Sequence, residues 1–242
     1  MANDVDPQAL RQLLELQNHD SEIARLSHRK STLPEAQRLA DVNGLLEELG
    51  ADIEIAEKQA KEITREQDRL EGEIGIIEQK TQREEGRLFS GGVSNPKELS
   101  SLQAEVAMLK KRRAELDDGL LEVMVQKDDA VSTKERLERE RSEASTEAET
   151  LTKKLGELTS EIDAELTEHS AARAEIASTI PEDLLTLYES LRASKHGVGA
   201  AALRGHTCEG CHTELPSREV ERLKAAGGLQ RCDNCRRILV VV

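Results

Sequence analysis

The spacing of apolar residues along the chain predicts two long helices. Between Leu39 and Leu88, alternating steps of three and four residues reach an apolar side chain at twelve of fifteen positions. A second series of the same kind runs from Leu99 to Thr179, where 17 of 24 positions are apolar. Heptad repeats sustained over this length are typical of a helix wound against a partner helix. At about 1.5 Å per residue, the second helix is expected to be roughly 120 Å long.

The segment between the two helices predicts a tight reversal of the chain. Gly91 and Gly92 interrupt the first helix, and Asn95 followed by Pro96 is typical of the start of the next. A linker this short makes the helices antiparallel. Another apolar stripe, from Leu13 to Leu33, precedes them. We therefore predict a mainly α chain in which residues 1–180 form a long antiparallel coiled-coil hairpin, with a tip loop at 89–95 and a kink near residue 34.

The rest of the chain predicts a different kind of structure. Residues 181–196 are expected to form a connecting helix and linker, because Pro181 ends the long helix and apolar residues recur on one face after it. Residues 197–242 are expected to form a small domain with short β-strands. In that domain, the small apolar residues 198–203 are expected to pair with the terminal strand 238–242.

Three cations occupy the same position in consecutive heptads of the apolar series on the long helix: Lys127, Lys134 and Arg141. One interpretation is that their stems pack in the interface while their charged ends reach water and fix the register. The other is that they mark a waist at which the hairpin bends or binds a partner. The sequence leaves both interpretations open.

Composition supports an elongated core and argues against an ordinary globule. Charged residues make up 34% of the chain, whereas aromatic residues make up only 1%. The net charge of −14 separates into −17 for residues 1–194 and +3 for residues 195–242. Nucleic acid is therefore expected to avoid the hairpin. No apolar run reaches the roughly 20 residues of a membrane span, and the first residues do not resemble a signal peptide. We expect no membrane contact and a cytoplasmic location.

The four cysteines predict a metal site. Cys208, Cys211, Cys232 and Cys235 form the pattern C-x2-C-x20-C-x2-C. Two such turns can place four thiolates tetrahedrally around one Zn²⁺ ion with Zn–S distances of about 2.3 Å. Four sulfur ligands leave no open position, so the zinc is expected to be structural. Iron held by four cysteines is the alternative. We expect His206 and His212, which flank the first pair, not to be ligands.

Basic residues around these cysteines are candidates for binding phosphate or nucleic acid: Arg204, Arg222, Lys224, Arg231, Arg236 and Arg237. Exposed guanidinium groups bind phosphates and guanine edges. Two observations weigh against this prediction. Four thiolates and one zinc ion lower the charge of the domain from +3 to about +1. Aromatic platforms for stacking single-stranded bases are also missing.

Three stretches resemble a bacterial family that joins a helical-hairpin coiled coil to a C4-type zinc ribbon. They are residues 90–99 at the predicted tip and the stretches 208–216 and 232–239 around the cysteines. The resemblance implies zinc ligation by the four cysteines. It also implies a non-enzymatic adaptor or regulator that contacts RNA, transcription factors, or flagellar and secretion components. This chain departs from the motif of that family at two positions. Arg236 stands where a Gly commonly follows the last Cys, and Val240 stands where an aromatic residue often ends the motif.

Three functions are therefore considered. The first is an adaptor whose coiled coil binds a protein while its ribbon binds RNA, DNA or a transcription component. The second is a purely structural interaction rod with a zinc-stabilised cap. The third is a sensor of a guanine-containing nucleotide, such as a cyclic dinucleotide, bound by ribbon arginines. We expect no enzymatic activity, because the sequence shows no set of a nucleophile and a base, no Gly-rich phosphate loop and no open metal site.

Overall fold

The computed structural model describes residues 5–242, which contain five helices and four short strands. In chain order the elements are α1 (Pro7–Ser31), α2 (Pro34–Phe89), α3 (Pro96–Thr179), α4 (Glu182–Ser194), β1 (Ala200–Arg204), β2 (Thr207–Cys208), α5 (Ser217–Ala226), β3 (Gln230–Arg231) and β4 (Ile238–Val241). The prediction of a mainly helical chain with a long hairpin and a small C-terminal domain of short strands is confirmed. Among the described helices, none is both long and apolar enough to cross a membrane.

Local sequence explains where the long helices begin. The Asp6 carboxylate accepts a 2.9 Å hydrogen bond from the backbone N–H of Gln8, and Pro7 occupies the first helical position of α1. The Asn95 side chain does the same for α3, because its Oδ1 accepts from the N–H of Lys97 at 3.0 Å. Such caps satisfy N–H groups that have no partner inside the helix.

Contacts divide the chain into two compact units. One unit contains residues up to Gln37 together with Thr152–Val242, and the other is Arg38–Leu151.

Within Arg38–Leu151, α2 and α3 pack through two separate apolar clusters. The buried members of the first cluster are Val42, Leu49, Ile53, Ala56, Leu137 and Ala144. Those of the second are Leu70, Ile74 and Leu116. Between the clusters the interface contains polar contacts as well as smaller apolar ones. There, Lys127 Nζ donates to Gln67 Oε1 at 2.9 Å, and Lys134 Nζ lies 3.0 Å from Glu57 Oε1. These two seam cations therefore occupy a break in the apolar core.

The other unit packs the first and last parts of the chain together. Tyr188 of α4 is fully buried, in a cluster that also contains Leu13 and Leu16 of α1 and Ile238 of β4. A second cluster in this unit joins Leu26 of α1 to Ile162 of α3. The sheet of the ribbon therefore packs against α1 and α4 through apolar side chains.

The four strands form one sheet in the order β2-β1-β4-β3. The central pair, β1 and β4, is parallel, with Ala200 opposite Ile238, as the pairing of 198–203 with 238–242 predicts. The outer strands are antiparallel to their neighbours, so that Leu203 faces Cys208 and Arg231 faces Ile238. This arrangement brings the first cysteine of each pair to the sheet.

Candidate metal centre

Two backbone turns of the same design hold the cysteines. In the first turn, the N–H of His212 donates to the carbonyl of Cys208 at 2.7 Å, and the N–H of Cys208 donates to the carbonyl of Thr213 at 3.1 Å. The second turn repeats both bonds. There, Arg236 donates to Cys232 at 2.8 Å, and Cys232 donates to Arg237 at 3.0 Å. Each turn therefore presents two sulfur atoms from a hydrogen-bonded loop.

The residue after each second cysteine adopts a left-handed backbone conformation. The φ angle of His212 is 57° and that of Arg236 is 67°. Glycine reaches this region without steric cost, whereas other L-residues do so rarely. This geometry explains why the family resemblance leads one to expect glycine at position 236.

The four sulfur atoms converge on one point. All four Sγ atoms lie within 4.8 Å of one another. Cys208 Sγ is 4.0 Å from Cys235 Sγ, and Cys211 Sγ is 3.9 Å from Cys232 Sγ. A tetrahedral site with Zn–S bonds of about 2.3 Å has sulfur atoms about 3.8 Å apart. The cluster therefore fits one zinc ion held by four thiolates.

The cysteines differ in how readily they lose their protons. Burial raises the pKa of Cys208 to about 12, and burial also raises the pKa of Cys232. Burial acts in the same direction on Cys211, but hydrogen bonds from Thr213 and Asn234 outweigh it and lower that pKa to about 6. A bound cation must therefore displace protons that the two buried thiols otherwise keep.

Among the described residues, the only group of three or more potential metal ligands that lie this close together is the four cysteines. His206 and His212 are both exposed beside the first turn. Four thiolates complete a tetrahedral shell, so the metal has a structural role and no position for substrate.

Arg237 has a different role from the one expected from sequence. Its guanidinium donates to three backbone carbonyls, those of Lys195, Val198 and Gly210, each at 2.9 Å. A Cβ atom at Gly210 would lie 2.9 Å from Arg237 Cδ, so glycine is needed at this approach. The structure therefore gives Arg237 a role in joining backbone segments, because these carbonyls accept three of its five N–H groups.

The other basic residues of the ribbon remain at its surface. Arg204 pairs with Glu209 at 2.7 Å, and Arg222 pairs with Asp233 at 3.2 Å. Three further cations have exposed side chains that make no hydrogen bond or ion pair within the described chain: Lys224, Arg231 and Arg236. They lie on α5, on β3 and in the second cysteine turn, respectively, so they do not share one element.

A buried polar network was missed by the sequence analysis. Asp20 of α1 is 1% exposed, and its carboxylate lies 2.8 Å from Arg173 Nε and 3.0 Å from Arg192 Nη2. Tyr188 donates its hydroxyl proton to Asp20 at 2.7 Å and is also 3.2 Å from Gln17 Oε1. Gln17 and Asp20 lie next to Leu13 and Leu16 in the apolar stripe of α1. Two polar residues in such a stripe are the signal that could have revealed the network.

Gly199 allows the ribbon to approach this network closely. A Cβ atom there would lie 2.6 Å from the carbonyl oxygen of Tyr188 and 2.8 Å from its ring. Real Cβ atoms do not tolerate such contacts with backbone. The sheet can therefore enter beside α4 only because residue 199 is glycine.

Fold and site together define a class of protein, the helical hairpin joined to a four-cysteine zinc ribbon. Residues 16–196 match the CT398-like coiled coil hairpin domain, and residues 207–239 match the C4-type zinc ribbon domain. The chain belongs to the CT398-like coiled-coil hairpin family. The predicted resemblance is confirmed, and the ribbon match supports one structural zinc ion rather than iron.

Similar proteins cover almost the whole chain. An uncharacterized protein of Mycobacterium tuberculosis is 31% identical over 236 residues, which are 95% of this chain and 94% of that protein. A solved structure from Mycobacterium smegmatis has a TM-score of 0.80 at 26% identity and covers 98% of this chain and 99% of its own. The structure of CT398 from Chlamydia trachomatis has a TM-score of 0.68 at 21% identity, covers 97% of this chain and 98% of its own, and shows the shared fold.

Proposed function

We propose that this protein is a non-enzymatic adaptor, in which the hairpin binds a partner protein and the zinc ribbon contacts nucleic acid or a transcription component. The observation that carries the proposal is the exposure of large apolar side chains on both helices of the Arg38–Leu151 unit. Those with more than half of their surface exposed, apart from Phe89, are Ile55, Ile76, Met108, Leu121 and Val125. Exposed apolar groups surrounded by charged residues are typical of protein-binding surfaces.

The metal site supports the non-enzymatic part of the proposal. The four cysteine sulfurs fill the coordination shell of a tetrahedral ion, so substrate has no position on the metal. What zinc supplies is folding energy for a small domain whose own apolar core is limited.

The charge on the ribbon surface supports contact with nucleic acid. Lys224, Arg231 and Arg236 offer exposed positive charge without an acidic partner in the described chain. Exposed pairs such as Arg204 with Glu209 are weak in water, and a phosphate can replace the carboxylate. The nucleotide-sensor alternative has less support, because Arg237 donates to backbone carbonyls.

Affinity capture from native cell extract tests the protein-binding half. The full chain and its K224A/R231A/R236A variant are used as bait, each with and without nuclease. The adaptor function predicts that the same protein is captured at equal stoichiometry in all four arms. If nothing is captured after nuclease treatment, the hairpin does not bind a protein by itself and this half of the proposal is wrong.

Equilibrium binding to RNA and to DNA tests the other half. Affinity is expected to fall steeply between about 50 and 200 mM salt, and the triple ribbon variant is expected to show a shallower dependence. A matched variant, K58A/K61A/R65A, removes three cations from the hairpin and should behave like the wild-type chain. Binding that is absent, or equally weakened by both triple variants, contradicts a role for the ribbon. In that case the structural-rod alternative remains.

A further inference from the structure

An apolar stripe on α3 faces away from the α2–α3 interface. Leu121, Met124 and Val125 follow the spacing i, i+3, i+4 and therefore share one face of the helix. Their exposed fractions are 61%, 44% and 62%. The neighbouring Leu120 and Val123 turn the other way and pack in the second apolar cluster. This part of α3 is therefore apolar on two faces, although packing against α2 requires only one.

The stripe lies beside the break in the apolar core. At this level the interface contains Lys127, bonded to Gln67, and one heptad later Lys134, paired with Glu57. A pair of helices that bury apolar surface only against each other would place their apolar residues in the interface and their lysines in solvent. Here, within a few turns, Leu121 and Val125 are exposed, whereas Lys127 and Lys134 lie in the interface with α2. The α2–α3 interface therefore does not account for the exposed apolar residues of this face.

The charges around the stripe are acidic and unpaired. Asp118, Glu122 and Asp128 flank it, and none of their carboxylates has a hydrogen bond or ion pair in the described part of the chain. Elsewhere on α3, cations pair across the interface, as Lys110 does with Glu85 at 2.6 Å. Between residues 117 and 131, the only cation is Lys127, whose ammonium group is turned to Gln67.

We propose that this surface binds a basic amphipathic helix of a partner protein. We call it the α3 docking face and define it by Leu121, Met124, Val125, Asp118, Glu122 and Asp128. An apolar stripe bordered by carboxylates is complementary to a helix with Leu-like anchors at i, i+3 and i+4 and with Lys or Arg beside them. Methionine in the stripe adapts to anchors of different shape.

A second copy of the chain fits the face poorly, because the same carboxylates would then oppose one another. The inference rests on the proposed adaptor function and specifies the chemistry of the partner.

Two synthetic helical peptides test the inference on the full chain. Both carry Leu at i, i+3, i+4 and i+7, and the flanking positions are Lys in one and Glu in the other. Binding is measured by fluorescence anisotropy, and helical content of every variant is checked by circular dichroism. The Lys peptide is expected to bind, and the Glu peptide is not. The L121S/V125S variant is expected to lose about tenfold in affinity for the Lys peptide.

Matched variants separate the docking face from general attraction to an acidic hairpin. I55S/I76S removes two equally exposed apolar residues from α2 and should bind the Lys peptide like wild type. D118N/D128N keeps the apolar contacts and should reduce the salt dependence of binding. Equal losses in I55S/I76S and L121S/V125S would overturn the inference. So would a dimer, seen by sedimentation, that L121S/V125S dissociates, because the occupant would then be a second copy.

Capture from cell extract distinguishes failure of the inference from failure of the adaptor function. If a protein is captured and L121S/V125S captures it equally well, the adaptor function stands and the docking face is wrong. If neither the peptide nor any protein binds, the adaptor function itself is wrong.

Discussion

The side-chain oxygen of Gln17 lies 2.7 Å from the backbone nitrogen of Gly199 and accepts the hydrogen bond of that N–H. The amide nitrogen of the same side chain donates to the carbonyl of Gly197 at 3.0 Å. The buried side chain of Gln17 therefore bonds one backbone N–H and one backbone carbonyl of the segment that leads into β1. The ribbon is therefore joined to the helices by specific hydrogen bonds as well as by apolar packing.

Replacing Gln17 by alanine should destabilise the protein by about 2 kcal/mol, because the buried N–H of Gly199 loses its acceptor and the carbonyl of Gly197 loses a donor. Urea unfolding followed by circular dichroism measures the change. Gln8→Ala, on the exposed side of the same helix, should stay within about 0.5 kcal/mol of wild type. A Q17A protein as stable as the control would show that the bonds to Gly197 and Gly199 add nothing to stability.

The pKa of Tyr188 is raised above its ordinary value, first by burial and then by its hydrogen bond to Asp20. The folded state therefore holds this proton more tightly than the unfolded state. Stability from this group is complete below about pH 10 and is lost as pH rises further, because only the unfolded tyrosine then ionises. Tyr188 is the only tyrosine of the chain, so tyrosinate absorbance reports it alone. In urea it should titrate near pH 10, and in the folded protein only as the structure unfolds. A normal titration in the folded protein contradicts the expectation.

Asp20 and Asp163 provide a comparison between a buried and an exposed carboxylate. Asp20 is buried between Arg173 and Arg192, whereas Asp163 is half exposed and pairs with Lys30 at 2.6 Å. Asp20→Asn should cost about 2–3 kcal/mol, because two partly buried guanidinium groups lose their buried counter-charge and keep only the more exposed Glu189. Asp163→Asn should cost less than about 1 kcal/mol. Equal losses in urea unfolding would show that the Asp20 network is no stronger than a surface pair.

The fold was predictable because its pattern is repetitive. Heptad spacing across α2 and α3, with Gly91 and Asn95 between them, is sufficient to predict a hairpin. The interruption of the core was harder to predict, because Lys127 in a seam is compatible with ordinary packing until its partner, Gln67, is known.

At the metal site, spacing predicted which cysteines meet, since two C-x2-C turns have few alternatives. The roles of the arginines were not predictable in this way. Arg236 and Arg237 are neighbours of the same type, yet the first is exposed and the second donates to three carbonyls of two separate segments. Long-range bonds of this kind depend on the fold as a whole and leave no local pattern. The same is true of the Gln17 bonds.

Zinc content should distinguish the cysteines from the neighbouring histidines. Cys232→Ser is expected to lose the metal and unfold the ribbon while the circular dichroism of the long helices persists, because zinc binding and ribbon folding are coupled. His206→Ala and His212→Ala should each keep one zinc ion per chain. Elemental analysis after dialysis measures this directly. Loss of zinc in either histidine variant would mean that the site is not held by cysteine alone.

Changing Arg236 to glycine should stabilise the ribbon. A non-glycine residue with a φ angle of 67° carries a conformational cost of about 1–2 kcal/mol, which glycine removes. Glycine also makes the unfolded chain more flexible, so the expected net gain is about 0.5–1 kcal/mol. Arg231→Gly is the matched control, because Arg231 lies in β3 and loses strand stability without relief of strain. Urea unfolding of the zinc-loaded protein should therefore shift in opposite directions for the two variants. A shift in the same direction would show that the left-handed turn after Cys235 is not strained by arginine.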